Sequence, residues 1–132
     1  MSPALRQTVR LRAGGRCEYC RLPDWLDYLD PFHLEHVRPR QHGGNDDLEN
    51  LAWACSRCNR RKGTNLAAID PDTGSQVSLF DPRLDLWSDH FEMMASWIHG
   101  RTGIGRATVW LLEMNVPRRQ EVRRLLFEAG LW

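Results

Sequence analysis

The sequence predicts a small α+β protein built around a metal staple, and three observations lead there. Four cysteines fall in two C-x-x-C pairs, Cys17 with Cys20 and Cys55 with Cys58. Short alternating segments bounded by Pro and Gly lie between and after them, which reads as strands and hairpins. Near the C-terminus, Ile104, Ala107, Leu111 and Met114 recur at helical spacing, as do Val122, Leu125, Leu126 and Ala129.

In chain order, Ser2-Pro3 is an N-cap with a first-turn proline, so a helix runs to about Ala13, where Gly14-Gly15 stops it. The first knuckle comes next, then a loop over residues 21–31 that carries Pro23 and Pro31. Residues 32–37 alternate as a short strand ended by Pro39. Residues 41–47 are rich in turn formers, and residues 48–54 return as a turn and strand. A short helix runs from Ser56 to Lys62, ended by Gly63. The turn Asp70-Pro71-Asp72-Thr73-Gly74 predicts a hairpin, and residues 91–98 a further strand pair. Two amphipathic helices close the chain, the second opened by Pro117 and closed by Gly130. With 132 residues and no linker, repeat or low-complexity tract, the chain is expected to be a single domain, with a core at 17–63 and a C-terminal part at 64–132.

Charge excludes little. A formal net charge of +1 means that any nucleic-acid surface must be a local patch. No apolar run approaches the roughly 20 residues of a membrane span. The first residues lack a signal-peptide core, so the expected setting is soluble and cytoplasmic. In a reducing compartment two matched C-x-x-C pairs predict zinc rather than disulfides. Four thiolates close a tetrahedral sphere at about 2.3 Å, with no open position for water, so this zinc is structural. The 34 residues between the pairs exceed the roughly 15–20 of a simple zinc ribbon. Something is inserted there.

The insertion carries Glu35-His36-Val37-Arg38-Pro39, Gly43-Gly44 and Asp46-Asp47-Leu48-Glu49-Asn50-Leu51. After the second pair comes Asn59-Arg60-Arg61-Lys62. In residue type and order, residues 17–63 closely resemble the zinc-containing subgroup of the HNH endonuclease family. The resemblance implies a ββα-metal, treble-clef-like module, a hairpin followed by a helix; the later hairpin and the two C-terminal helices are expected to pack on it. It implies hydrolysis of DNA phosphodiesters, with His36 as the general base. It assigns Glu35 and Asn59 to a catalytic divalent ion and Asn50 to tying the loop and orienting His36. The acidic position here is Glu where Asp is common, and the last position is Asn rather than His. Carboxylate and amide oxygens suit Mg²⁺ or Mn²⁺. A neutral His is a suitable base at cellular pH. Glu35 and His36 are adjacent on a strand and therefore face opposite ways.

Arg57, Arg60, Arg61 and Lys62 stand beside this site, which favours phosphate contact over a merely solvated helix face. Arg118, Arg119, Arg123 and Arg124 are expected to be a solvated face of the last helix. His33 shares a strand face with Glu35 and is read as structural or supporting. His42, His90 and His99 are read as structural or exposed. Trp87, Trp97, Trp110 and Trp132 are read as core or half-buried packing. The rival reading is a zinc-dependent nucleic-acid-binding module without cleavage. An adaptor zinc finger would need none of Glu35, His36 and Asn59.

Overall fold

The computed structural model describes residues 1–27 and 29–132. The chain divides into two compact units. Unit 1 comprises Met1–Thr64 and Asp81–Arg83; unit 2 comprises Asn65–Phe80 and Leu84–Trp132.

Unit 1 opens with helix α1, Pro3–Arg12, whose N-cap Ser2 accepts from the Leu5 amide. Its arginines fasten it to the rest of the unit. Arg10 forks onto Asp24 at 2.6 and 3.2 Å. Arg12 donates to the carbonyls of Leu48 and Leu51, and Arg6 lies 5.0 Å over the Trp53 ring. Strand β1, His33–His36, pairs antiparallel with β2, Leu51–Ala54, with Glu35 opposite Ala52 and His36 opposite Leu51. Every residue of β2 is buried, so this strand is covered on both faces. Helix α2, Ser56–Lys62, comes directly after it, so a strand pair and then a helix is the local order. The first knuckle is locked onto β2: Glu18 N donates to Trp53 O, and Trp53 N returns to Glu18 Oε2, both at 2.8 Å. Glu18 Oε1 is ion-paired with Arg83. The segment expected to be a plain loop contains a 3-10 turn, Asp24–Asp27, and Asp24 is the anchor shared by Arg10 and the Trp53 indole.

Unit 2 holds two hairpins and three helices. Strands β3, Ala67–Ile69, and β4, Gln76–Ser78, pair antiparallel. Gly74 turns their connection at φ +75°. A one-turn helix α3, Trp87–His90, leads into β5, Phe91–Met94, which pairs with β6, Trp97–Gly100. Phe91 and Ile98 supply buried side chains, and Phe80 meets Phe91 edge-on at 5.1 Å. Helix α4, Gly103–Leu111, is capped by Thr102. It lies so close to the end of α3 that a Cβ on Gly105 would meet the His90 carbonyl oxygen at 2.0 Å. Helix α5, Pro117–Glu128, ends the fold.

Two expectations are corrected by the structure. Arg119 and Arg123 are buried rather than solvated. Arg119 donates to the Leu112 carbonyl at the end of α4, and Arg123 to those of Ser96 in the β5–β6 turn and Met114, so they satisfy carbonyls outside regular structure. Arg118 and Arg124 are exposed as expected. Trp97 and Trp110 are 46% and 67% exposed, so neither is core. The helix α3 itself has no counterpart among the sequence expectations, since one turn shows no periodicity.

Candidate active site

The four cysteines converge. Cys17, Cys20, Cys55 and Cys58 are buried, and their sulfurs all lie within 4.8 Å of one another. Among the described residues no other group of three or more His, Cys, Asp or Glu is gathered in this way. Cys20 Sγ and Cys55 Sγ are 3.7 Å apart. A tetrahedron with Zn–S bonds of about 2.3 Å puts its sulfurs about 3.8 Å apart, so the donor set fits zinc. The amides of Cys20 and Cys58 point at the sulfurs of Cys17 and Cys55. Cys55 is also the N-cap of α2, so the staple sets where that helix begins. Burial pushes the Cys17 thiol well above its ordinary value, a cost that metal binding relieves by deprotonating it.

Strand β1 presents two different faces. Glu35 is 4% exposed. The Tyr19 hydroxyl donates to its Oε2 at 2.7 Å, and Lys62 Nζ lies 2.5 Å from its Oε1. That Oε1 takes no well-aligned hydrogen bond. Burial raises the Glu35 carboxyl above the ordinary range, opposed by the charge of Lys62. The carboxylate that the family resemblance assigns to a catalytic ion is thus closed in. Lys62 is 2% exposed and also donates to the carbonyls of His36 and Val37 at 3.2 and 2.9 Å. The structure therefore places Lys62 inside unit 1, not on a phosphate-facing surface. One carboxylate and two carbonyls surround its ammonium there and replace the water it has left.

His36 lies on the other face, with its side chain 19% exposed. Its Nε2 is 2.7 Å from Asp46 Oδ1. Arg40 donates from Nη2 to both oxygens of Asp46, at 2.8 and 2.9 Å. These contacts hold the Asp46 carboxyl below its ordinary range, the hydrogen bond with His36 first. Asn50 ties the intervening loop. Its Oδ1 accepts from Arg38 N at 2.8 Å, and its Nδ2 donates to Arg38 O and Asn45 O at 3.0 and 2.8 Å.

Asn59 sits one helical turn before Lys62, on the same side of α2. Its carboxamide has no hydrogen-bond partner among the described residues. Arg57 is half-buried, and Arg60 and Arg61 are exposed. His33 is exposed. Tyr19, Asp46 and Arg40 stand against these candidate residues and are not singled out by the sequence. The pair Asp46-Asp47 in a glycine-rich loop was the available signal, but a loop's fold-back onto a strand is not written in its local pattern.

The class emerges from comparison with known proteins. The family model of the HNH endonucleases matches residues 17–65, and this part of the chain is an HNH domain. Among curated proteins, the Septu protein PtuB of Bacillus thuringiensis is 27% identical over 128 residues, covering 94% of this chain. The match covers 46% of PtuB, so the chain spans about half the length of that relative. No solved structure matches the chain. No described helix is long and apolar enough to cross a membrane.

Proposed function

We propose that the protein is a divalent-metal-dependent endonuclease that hydrolyses DNA phosphodiesters, with His36 as the general base. The observation that carries this reading is His36 itself. It is partly open to solvent within the HNH domain and anchored through one ring nitrogen; the other has no partner among the described residues. An imidazole held in that way can accept a proton from water at Nδ1. Arg57, Arg60 and Arg61 flank the site and are read as phosphate contacts; Lys62 is assigned instead to holding Glu35.

Glu35 and Asn59 are the residues that would hold Mg²⁺ or Mn²⁺. Their oxygens suit a hard cation; among the described residues the Asn59 carboxamide has no hydrogen-bond partner, and Glu35 Oε1 is held by the Lys62 ion pair alone. Lys62 lies against the oxygen a metal ion would use, so binding would exchange one cation for another. When bound, the ion would neutralise phosphate charge and stabilise the departing 3′ oxygen. The likeness to PtuB runs through both units, so residues 1–132 are read as one functional domain acting on nucleic acid.

The closed state of Glu35 also favours a second reading, a zinc-stapled nucleic-acid-binding module without cleavage. Plasmid cleavage separates the two. Purified zinc-loaded protein should cut only with added Mg²⁺ or Mn²⁺. His36→Ala should keep zinc and DNA affinity while losing cleavage about 10²–10⁴-fold. A wild type that cuts no DNA with either ion would leave the binding module. A His36→Ala variant that cuts at the wild-type rate would move the base elsewhere, with His33 next.

A further inference from the structure

The loop between β1 and β2 is built more rigidly than a surface connection requires. Gly44 has no room for a side chain: a Cβ there would lie 1.7 Å from the Arg38 carbonyl oxygen and 2.9 Å from Asn50 Nδ2. Gly44 N donates to Pro39 O, and Val37 N donates to Asn50 O. With the three Asn50 side-chain bonds to Arg38 and Asn45, these contacts fix the chain just before residue 46. The side chain delivered there is Asp46, which meets His36 Nε2 on one side and the Arg40 fork on the other.

Exposed ion pairs add little to stability, and both Asp46 and Arg40 are half-exposed or more. Stability therefore does not account for the arrangement. Its chemical effect on His36 does. A carboxylate only accepts hydrogen bonds, so the nitrogen facing it must carry the proton. In the neutral ring that proton sits on Nε2, and Nδ1 is left with its lone pair. Nδ1 has no hydrogen-bond partner among the described residues.

We propose that Asp46 is a positioning residue, held by Arg40 and the Asn50-pinned loop, which locks the His36 ring and aims its Nδ1 at the attacking water. This rests on the reading of His36 as the base. Carboxylates that orient a metal-bound imidazole through its other ring nitrogen are worth about 10–100-fold, and an effect of that order is expected for Asp46.

Two arms test it on the full, zinc-loaded protein. In histidine-labelled protein, wild type should show a downfield His36 Hε2 resonance protected from exchange with water. Asp46→Ala should lose that protection. Asp46→Asn, whose amide oxygen still accepts, should keep part of it. In cleavage with Mg²⁺, Asp46→Ala should lower kcat about 10–100-fold with KM and zinc content unchanged, and Asp46→Asn should fall between. An Hε2 signal as protected in Asp46→Ala as in wild type would overturn the proposal, as would an unchanged kcat. Failure of the nuclease reading is distinguishable: a wild type that never cuts sinks that reading, while the resonance arm still decides whether Asp46 locks the ring.

Discussion

Each unit holds a buried carboxylate beside a cation, Asp70 with Arg106 in unit 2 and Glu35 with Lys62 in unit 1, and these two pairs are built differently. In unit 2, Asp70 accepts from Arg106 Nε and Nη2 at 3.0 and 2.8 Å, from Asp72 N at 3.0 Å and from the Thr73 hydroxyl at 3.0 Å. Hydrogen bonds from Arg106 hold its carboxyl below the ordinary range. In unit 1, Glu35 has one good donor, Tyr19, and one point charge, Lys62, and burial pushes its carboxyl up. Arg106 is planar and forks onto both oxygens; Lys62 is compact and shares itself with two carbonyls. Asp70 has the environment of a group whose work is to hold a turn between β3 and β4. Glu35 has that of a buried group with a single counter-charge, a setting that burial and Lys62 pull in opposite directions.

The largest test of this contrast is removal of zinc. Chelation, or Cys58→Ala, should abolish one bound zinc per chain by elemental analysis. In zinc-finger peptides structural zinc binding is worth on the order of 10–16 kcal/mol. Hydrogen exchange should lose its protection across β1, β2 and α2 while the α4 and α5 amides keep theirs. Equal loss in both units would break the division between them.

Next in size is Lys62→Met, which strands a buried carboxylate. It should cost about 3–5 kcal/mol in urea unfolding of zinc-loaded protein. Adding Glu35→Gln should recover most of that loss, because a neutral pair needs no counter-charge and the amide oxygen can still accept from Tyr19. A single variant as stable as wild type would mean that Lys62 is not the partner Glu35 depends on.

Asp70→Asn should show in the pH profile. Asp70 has a folded value below its unfolded one, which is near ~3.9. Its contribution is therefore complete above that unfolded value and lost as pH falls through the folded one. The wild-type urea midpoint should drop from about pH 5 to about pH 2 more steeply than the variant's. Parallel profiles would show that Arg106 does not favour the charged form.

The smallest effect concerns the surface. Arg60→Ala should weaken DNA affinity and reduce the slope of log affinity against log salt by about one unit. Lys62→Gln should leave that slope unchanged wherever the protein remains folded, since its ammonium is not on the surface. A reduced slope for Lys62→Gln would return Lys62 to the phosphate contacts.

Much of the fold was legible because it is punctuated. Ser2-Pro3, Gly63, Pro117 and Gly130 mark helix ends by backbone chemistry alone, and the observed α1, α2 and α5 respect them. The cysteine pairing in space was legible from spacing. The faces of β1 were legible by alternation, but which face would be sealed was not. That depends on Tyr19 and Lys62 arriving from far along the chain: Tyr19 is 16 residues from Glu35, and Lys62 is 26 from His36. Lys62, Arg119 and Arg123 defeated the rule that long cations stay outside, each by finding carbonyls inside. Asp46 was hidden for a related reason. A loop composition predicts that a chain turns, and says nothing of which side chain it returns to the strand.

The link from Glu18 to Arg83 sets a limit on how this protein can be cut. Unit 1 is not a continuous stretch of chain, because Asp81–Arg83 belongs to it. A fragment ending at residue 65, where the family match stops, would keep every cysteine and lose Arg83. The Glu18 carboxylate, buried beside the first knuckle and bound to the Trp53 amide, would then lose its ion-pair partner. The shortest piece that keeps the staple electrically complete runs through residue 83 and carries the β3–β4 hairpin as a passenger.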